Sequence, residues 1–359
     1  MNKKIIYFIA IFQAMVLSLY ASDGYNFSYN DVSDKHKMHI EECIKSIFPG
    51  QFITGSVKPL LGGLSGDDLY LIATDTSKYI FRCMKQPHSA DIYQKDCMYV
   101  RMAAEKGLGP KILYQNAETG CYATEFVEGE HLSPTHFEDV VVLEQFTNSL
   151  KFLHNTPMDL LLEFDIFARL EQKIESRIQK KSEFAAELQA YLGELHTIKM
   201  AIKKHVIGLK TCHNDVHVMN LFYTPEKTIQ FIDWGNAGLA DPFWDLACAA
   251  VKFHFSPDQT RLLLEKYFEG VVSPQDYSHF ILMENTALLS VGLDFLGQVG
   301  DELDPGVKSA VLNYLDKAGE GINHSIDTFE DAAAIAFNLF QKRTQSQEYA
   351  QALMLLEQL

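Results

Sequence analysis

The sequence lacks the cysteine patterns that build metal and redox sites. Its 359 residues include six cysteines, and no two of them form a CxxC pair or a close cluster. This excludes zinc-ribbon and thioredoxin-type motifs. Cys83, Cys212 and Cys248 lie within apolar stretches, where a free thiol packs as a small hydrophobic group. The pattern favours buried free thiols, with disulfides in an oxidising compartment as the alternative.

Basic residues are scarce relative to acidic ones. Lys and Arg number 31 against 47 Asp and Glu, which gives a formal net charge of −16. Such a chain repels the phosphate backbone of nucleic acids, so we expect no nucleic-acid partner. Its acidic field tolerates a cationic small molecule. Composition leaves the oligomeric state open.

The N-terminus has the order of a secretory signal. Lys3 and Lys4 precede a mostly apolar run at 5–19, and the small residues Ala21 and Ser22 follow. The run is short for a membrane span. We therefore expect residues 1–22 to be a signal peptide, with an uncleaved anchor or a core helix as alternatives. The protein would be secreted or exported, with no stable membrane span once the leader is removed. A cytoplasmic or membrane-anchored location is the alternative.

Hydrophobic periodicity divides the remaining chain into a sheet-rich part and a helical part. Residues 23–127 predict an N-lobe of small strands with helices, and residues 128–359 predict a mainly helical C-lobe. The fold class is therefore α+β and bilobal, and the cleft between lobes is the expected ligand site. The predicted helices are 34–48, 92–106, 140–154 and 166–205, and the predicted strands are 51–61, 69–73, 79–84, 111–114 and 122–127.

The strongest chemical signal is the segment His213-Asn214-Asp215, which is followed by Asn220 and, thirteen residues later, by Asp233. Phosphoryl transfer requires a base for the acceptor hydroxyl and cations that neutralise the phosphate charge. Asp215 suits the base. Asn220 and Asp233 offer the hard oxygen ligands that Mg²⁺ prefers. Solvated turn residues are the alternative interpretation.

These segments carry a family resemblance. Residues 212–215 (CHND) and 232–247 (IDWGNAGLADPFWDLA) resemble the choline/ethanolamine kinase and aminoglycoside phosphotransferase superfamily, and bacterial choline kinases in particular. The resemblance implies a protein-kinase-like fold that binds Mg²⁺ and ATP. It implies that Asp215 is the base and that Asn220 and Asp233 hold the metal. His213 and Asp245 would brace the catalytic loop by hydrogen bonds.

The resemblance also implies nucleotide contacts in the first lobe. Arg82 would touch the α- and β-phosphates, and Asp96 on the following helix would pair with it. The segment 124–127 resembles the hinge whose backbone binds adenine, with Glu125 and Val127 as the contacts. Glycines between two strands let backbone amides approach phosphates. The residues expected in that loop are Gly62, Gly63, Ser65 and Gly66.

One departure concerns the catalytic loop. Related sequences usually have a Pro-Gly pair before the metal-binding Asn, whereas this chain has Val218-Met219. The backbone that presents Asn220 could therefore differ.

The acceptor is expected to be a small molecule. Asp241-Pro242 follows Asp233 almost at once, which leaves no room for the activation loop and APE element of protein kinases. The resemblance implies a small amino alcohol, choline or ethanolamine, bound by aromatic faces and carboxylates. An aminoglycoside or other small-molecule kinase and an exported pseudokinase that acts as a binding protein are the alternatives. The candidate acceptor contacts are Phe243, Trp244, Glu284, Asp294 and Phe295.

Overall fold

The computed structural model describes residues 32–48, 55–60, 67–74, 77–84, 90–157, 162–179, 185–298 and 329–359. The predicted leader (1–22) and glycine-rich loop (61–66) lie outside these residues. The described residues fall into two compact units. The N-terminal unit contains residues up to 132 together with 218–236, and the C-terminal unit contains 133–217 and 237–359. The sequence-based lobe boundary at 127/128 stays a prediction.

The N-terminal unit is built on a five-stranded antiparallel sheet in the order β1-β2-β3-β5-β4. Side chains alternate across β3: Tyr79, Phe81 and Cys83 are buried in or against the core, whereas Arg82 lies on the other face. The sheet therefore presents a polar residue opposite its packed side. The strands are β1 (Ser56–Leu60), β2 (Asp68–Ala73), β3 (Lys78–Cys83), β4 (Ile112–Asn116) and β5 (Cys121–Glu125).

Two helices and a small second sheet complete this unit. Helix α1 (Asp34–Ile47) is capped by the Ser33 side chain and packs Ile40 and Cys43 into the sheet's core. Helix α2 (Ala90–Glu105) ends before Gly107, whose φ of 72° is left-handed. A three-stranded sheet pairs β6 (Glu130–His131), β8 (Leu221–Tyr223) and β9 (Ile229–Phe231). Its hairpin β8–β9 carries the predicted metal ligands.

The C-terminal unit is mainly helical, as the periodicity predicted. Within the range 166–205, which was predicted as one helix, the structure describes two helices, Ile166–Gln179 and Ala185–Ile202. A two-stranded sheet joins β7 (Lys210–Cys212) to β10 (Gly238–Ala240). The helices are α3 (Val140–Asn155), α4 (Ile166–Gln179), α5 (Ala185–Ile202), α6 (Pro242–Lys252), α7 (Pro257–Tyr267), α8 (Pro274–Gln298), α9 (Phe329–Thr344) and α10 (Gln347–Glu357).

Helix α8 is the centre of this unit and packs against α5, α6, α9 and α10. Among the described residues, α8 alone has the length and hydropathy to cross a membrane. Its most apolar window is 72% buried inside the protein. The apolar composition of α8 is therefore used in core packing.

The cysteine prediction was wrong for one pair. Cys83 on β3 and Cys121 on β5 occupy paired positions and form a disulfide. The prediction holds for the other four, which are free and buried: Cys43, Cys97, Cys212 and Cys248. Sequence reasoning missed the bond because 38 residues separate the partners, and only the sheet register brings them together.

The disulfide predicts how many cysteine thiols can be alkylated. Alkylation in denaturant without reductant should label four cysteines in the oxidised protein, and reduction should expose two more. Peptide mass spectrometry should find the unlabelled pair at Cys83 and Cys121. Labelling of all six without reductant, in protein purified under air, would contradict the bond.

Stability should fall in mild acid because of His254. Burial lowers the pKa of His254 from 6.5 to about 4. A lowered histidine pKa means that the unfolded chain binds the proton first, so this contribution is present above pH 6.5 and is lost as the pH falls towards 4. We expect His254→Asn, which suits the φ of 53°, to flatten the pH dependence of the unfolding free energy by about 1–3 kcal/mol. Urea melts at several pH values measure this, and parallel curves for variant and wild type would contradict it.

Candidate active site

The β8–β9 hairpin brings the two predicted metal ligands together. Leu221 pairs with Phe231, so Asn220 and Ile232 are opposite at the open end, where the Ile232 N–H donates to the Asn220 carbonyl at 2.9 Å. Asp233 follows directly. Its φ of 59° is left-handed, a conformation that Asp tolerates better than most residues and that recurs at functional sites. A carboxylate and a buried amide therefore lie on residues at the same end of a hairpin, and both groups offer the hard oxygen ligands that Mg²⁺ prefers.

Arg82 reaches the same place from β3. Its Nη1 lies 3.2 Å from Asp233 Oδ1 and 3.3 Å from the Tyr122 hydroxyl, and its guanidinium lies 2.8 Å from Asp67 Oδ2. The neighbouring Tyr122, Asp233 and Asp67 outweigh the effect of burial and raise the pKa of Arg82 further. Arg82 is thus a permanent cation in the N-terminal unit, in contact with a candidate metal ligand.

Asp96 lies beside this cluster but does not make the predicted ion pair. The ion-pair partners of Arg82 among the described residues are Asp67 and Asp233. Asp96 is buried on α2, and burial raises its pKa, although the charge of Arg82 opposes the rise. A Cβ atom placed at Gly235 would lie 3.7 Å from an oxygen of Asp96 and 3.7 Å from an oxygen of Asp233, so both carboxylates lie next to Gly235. Asp is shorter than the Glu expected here, and Asp67 fills the role from the segment before β2.

The predicted catalytic loop is hydrogen-bonded to Asp245. Asp245 is fully buried in the first half of α6. Its Oδ2 accepts a hydrogen bond from the His213 N–H and its Oδ1 accepts one from the Asn214 N–H, both at 2.8 Å. The Asp215 N–H donates in turn to His213 Nδ1 at 3.3 Å. Three consecutive backbone N–H groups are thereby fixed, and Asn214 adopts a φ of 63°.

Asp245 is supported by two further residues, which the sequence analysis did not predict. His154 Nε2 lies 3.1 Å from Asp245 Oδ2, and His154 Nδ1 lies 2.7 Å from the Tyr267 hydroxyl. The sequence pattern placed His154 only at the end of the predicted helix 140–154 and indicated no role for Tyr267. With Cys212, His154 and Asp245 also form a compact group of metal-ligand types. Asp245 is, however, committed to three N–H donors, and burial raises the pKa of the Cys212 thiol, so a hydrogen-bonded support explains the group.

The predicted base has two basic neighbours on one oxygen. His217 Nε2 lies 3.4 Å and Lys252 Nζ 3.6 Å from Asp215 Oδ1. Burial raises the pKa of Asp215, but the His217 hydrogen bond and the Lys252 charge outweigh it, and the pKa lies well below its usual range. Asp215 is therefore ionised at neutral pH, as a proton acceptor must be. Lys252 was missed, although Asp245 and Lys252 stand seven residues apart on one helix and so share a face.

The predicted adenine-binding segment, 124–127, begins within the last two residues of β5. The Glu125 N–H donates to the Lys111 carbonyl at 3.0 Å, and the Phe126 N–H donates to the Lys78 carbonyl at 3.2 Å. Val127 comes next and is half-buried. The segment is tied to the sheet by Glu125 and Phe126. Its contact with a base stays a prediction, as do the phosphate contacts of Gly62, Gly63, Ser65 and Gly66.

The candidate acceptor contacts have other partners. Phe243 is buried and stacks on His279, and the Trp244 indole N–H donates to the Asn214 carbonyl at 3.3 Å. These two aromatics therefore support the core and the loop. Glu284 forms an ion pair with Arg343 at 2.7 Å, and Asp294 forms one with Lys173 at 2.5 Å. Phe295 is half-buried.

Comparison with known families decides the membership. The family model described as "Phosphotransferase enzyme family" matches residues 56–278. The chain belongs to the phosphotransferase enzyme family. The matched range includes Arg82, the catalytic loop and the hairpin of Asn220 and Asp233.

The chain is also similar to a curated protein and to solved structures. Protein LicA of Haemophilus influenzae is 30% identical over 169 residues, which is 46% of this chain and 62% of LicA. A choline/ethanolamine kinase family protein from Mesorhizobium loti has a TM-score of 0.65 at 20% identity, covering 89% of this chain and 99% of that one. Choline kinase LicA from Streptococcus pneumoniae has a TM-score of 0.63 at 20% identity, covering 87% and 99%.

These similarities confirm the kinase-like α+β fold that the sequence predicted. The match to the Haemophilus protein spans about three-fifths of that relative. The solved structures share the fold at low identity.

Removing the charge of Asp245 should loosen the loop. Asp245→Asn retains the shape of the side chain. Its NH₂ group, however, replaces one carboxylate oxygen and faces an N–H group that had donated a hydrogen bond to that oxygen. We expect the unfolding free energy to fall by about 2–4 kcal/mol in urea melts, because one buried donor loses its acceptor. Asp258→Asn, on the exposed start of α7, is the matched control and should change it by less than about 0.5 kcal/mol. Equal stability of the two variants would contradict the bracing role.

Proposed function

We propose that the protein is an ATP-dependent kinase that transfers the γ-phosphate to the hydroxyl of a small amino alcohol, with choline and ethanolamine as the first candidates. One observation carries the proposal. An ionised Asp215 lies on a loop that is braced by Asp245, and the chain continues into a hairpin whose open end carries both Asn220 and Asp233. Family membership supports phosphoryl transfer as the chemistry of these groups.

Each group has a role in that chemistry. Asp215 orients the acceptor hydroxyl and takes its proton. Asn220 and Asp233 are the residues that would hold Mg²⁺, which supplies positive charge to the phosphates when bound. Arg82 supplies a fixed cation to the nucleotide phosphates from β3. The segment that contains Glu125 and Val127 binds the adenine through its backbone.

Support for the nucleotide comes from structures with this fold. A crystal structure of LicA in complex with AMP has a TM-score of 0.59 at 20% identity. Spectinomycin phosphotransferase in complex with ADP and spectinomycin has a TM-score of 0.52 at 14% identity. Both support ATP as the phosphoryl donor of this chain. The second keeps an aminoglycoside-type acceptor as the alternative to an amino alcohol.

A short connection supports a small acceptor. Between Asp233 and α6 the chain makes only a 3-10 turn (Trp234–Asn236) and strand β10, which pairs with β7. A protein kinase places its peptide-docking activation loop here. The absence of such a loop from these described residues favours a free small molecule. An exported pseudokinase is the remaining alternative. The ionised Asp215 and the retained pair of Asn220 and Asp233 argue against it.

We also propose export, on the basis of the N-terminal signal pattern. The Cys83–Cys121 disulfide supports it, since such bonds persist in oxidising compartments. Mass spectrometry of the mature chain in its native host tests this: a first residue near 22 is expected, and an intact Met1 in a cytosolic fraction would contradict it.

An acceptor screen tests the activity. Protein without its first 21 residues is incubated with Mg²⁺, ATP and a panel of amino alcohols and aminoglycosides, and products are identified by mass spectrometry. We expect a phosphorylated amino alcohol. Asp215→Asn should lower kcat by about 10²–10⁴-fold with little change in the KM for ATP, because the proton acceptor is lost while the nucleotide contacts remain.

A matched control separates chemistry from folding. Asp139→Asn changes the N-cap of α3, and we expect its kcat to stay within about twofold of wild type. Failure to phosphorylate any acceptor, together with no rise in Tm on addition of Mg²⁺ and ATP, would contradict the kinase proposal. An Asp215→Asn enzyme as fast as wild type would contradict the role of the base.

A further inference from the structure

Two carboxylates hold opposite ends of the Arg82 guanidinium. Its Nε and Nη2 both lie 2.8 Å from Asp67 Oδ2, whereas its Nη1 lies 3.2 Å from Asp233 Oδ1 and 3.3 Å from the Tyr122 hydroxyl. All three nitrogens therefore have acceptors. One of these acceptors is a proposed metal ligand, so the contact bears on how that ligand becomes available to a metal ion.

The two ion pairs differ in burial and in length. The side chain of Asp67 is 5% exposed and that of Asp233 is 37% exposed. A buried pair with two short hydrogen bonds is costly to break, because a buried charge would be left without a partner. A longer pair that is open to solvent contributes little. Asp67 is therefore the fixed anchor of Arg82, and Asp233 is the partner that Arg82 can exchange.

The guanidinium and a metal ion compete for the Asp233 carboxylate. Oxygen ligands lie about 2.1 Å from Mg²⁺, so an ion on Asp233 Oδ1 would lie within about 5.3 Å of Arg82 Nη1 as the side chains stand. Two cations at that separation repel each other in a partly buried site. Phosphate oxygens remove the conflict, because they accept hydrogen bonds from a guanidinium and also bind a metal ion.

We infer that Arg82 makes metal binding at Asp233 depend on the nucleotide: its Nη1 end occupies Asp233 in the nucleotide-free protein and moves to the phosphates when they bind, while Asp67 keeps the other end in place. The inference rests on the proposed function, because it takes Asp233 as a metal ligand and a nucleotide as the second ligand. It goes further in naming the residue that couples the two binding events. Coupling of binding free energies is reciprocal, so each ligand favours the other.

The test measures each ligand without the other. Mn²⁺, which prefers the same oxygen ligands as Mg²⁺, is titrated into nucleotide-free protein and followed by EPR, and ATP is titrated by calorimetry in the presence of EDTA. We expect Arg82→Gln to bind Mn²⁺ at least about tenfold more tightly than wild type, because the competing cation is gone. It should bind ATP at least about tenfold more weakly, because a phosphate contact is lost. A merely structural role would weaken both affinities, so the opposite signs are diagnostic.

Three further variants control the comparison. Lys78→Gln removes a positive charge from the same strand, where Lys78 is exposed and paired with Glu128, and it should leave the Mn²⁺ affinity within about twofold of wild type. Arg82→Gln combined with Asp67→Asn removes the buried carboxylate that the single variant leaves unpaired, and it should keep the tighter Mn²⁺ binding. Arg82→Gln combined with Asp233→Asn should lose the tighter binding, which assigns the ion to Asp233.

The outcomes separate the two proposals. If wild type neither binds ATP nor phosphorylates any acceptor, the proposed function fails and the inference with it. If wild type is an active kinase but Mn²⁺ binds no more tightly to Arg82→Gln and to its combination with Asp67→Asn, the inference fails alone. Tighter Mn²⁺ binding that persists without the Asp233 carboxylate also overturns it. Tighter Mn²⁺ binding that requires Asp233, together with weaker ATP binding, supports it.

Discussion

The hydrogen bonds between one buried carboxylate and the backbone of the catalytic loop are the interaction on which the rest depends. Asp245 accepts hydrogen bonds from the backbone N–H groups of His213 and Asn214, and it also contacts a ring nitrogen of His154. A loop residue with left-handed backbone, such as Asn214, persists only where the surroundings fix it. This fixed backbone sets where the Asp215 carboxylate points. Without it, the proposed base would have no defined position towards an acceptor.

A second constraint operates in the N-terminal unit. Antiparallel pairing of β8 with β9 places Asn220 and Asp233 at one end, whatever their separation in sequence. Arg82 then meets Asp233 from a different sheet. Val218-Met219, which replaces the usual Pro-Gly pair, forms a 3-10 turn with Asn220, and Asn220 stays buried. The departure is therefore compatible with the presentation of this ligand.

The sequence predicted the elements better than their contacts. The alternation of β3 and the helical period of α1 are local patterns, so their bounds agree with the structure to within a few residues. The motif around Asp215 was recognisable because its residue types are set by chemistry. Contacts fixed by tertiary packing were not: the Cys83–Cys121 bond, the pairing of Arg82 with Asp67 and the approach of Lys252 to Asp215 each depend on register or on the packing of distant elements.

The central claim is that Asn220 and Asp233 serve one nucleotide-bound metal. A crystal structure of the protein with Mg²⁺ and a non-hydrolysable ATP analogue tests it most directly. The account predicts a magnesium ion ligated by the Asn220 side-chain oxygen and the Asp233 carboxylate, with Arg82 on the phosphates. A bound analogue whose metal ion contacts neither side chain would contradict it.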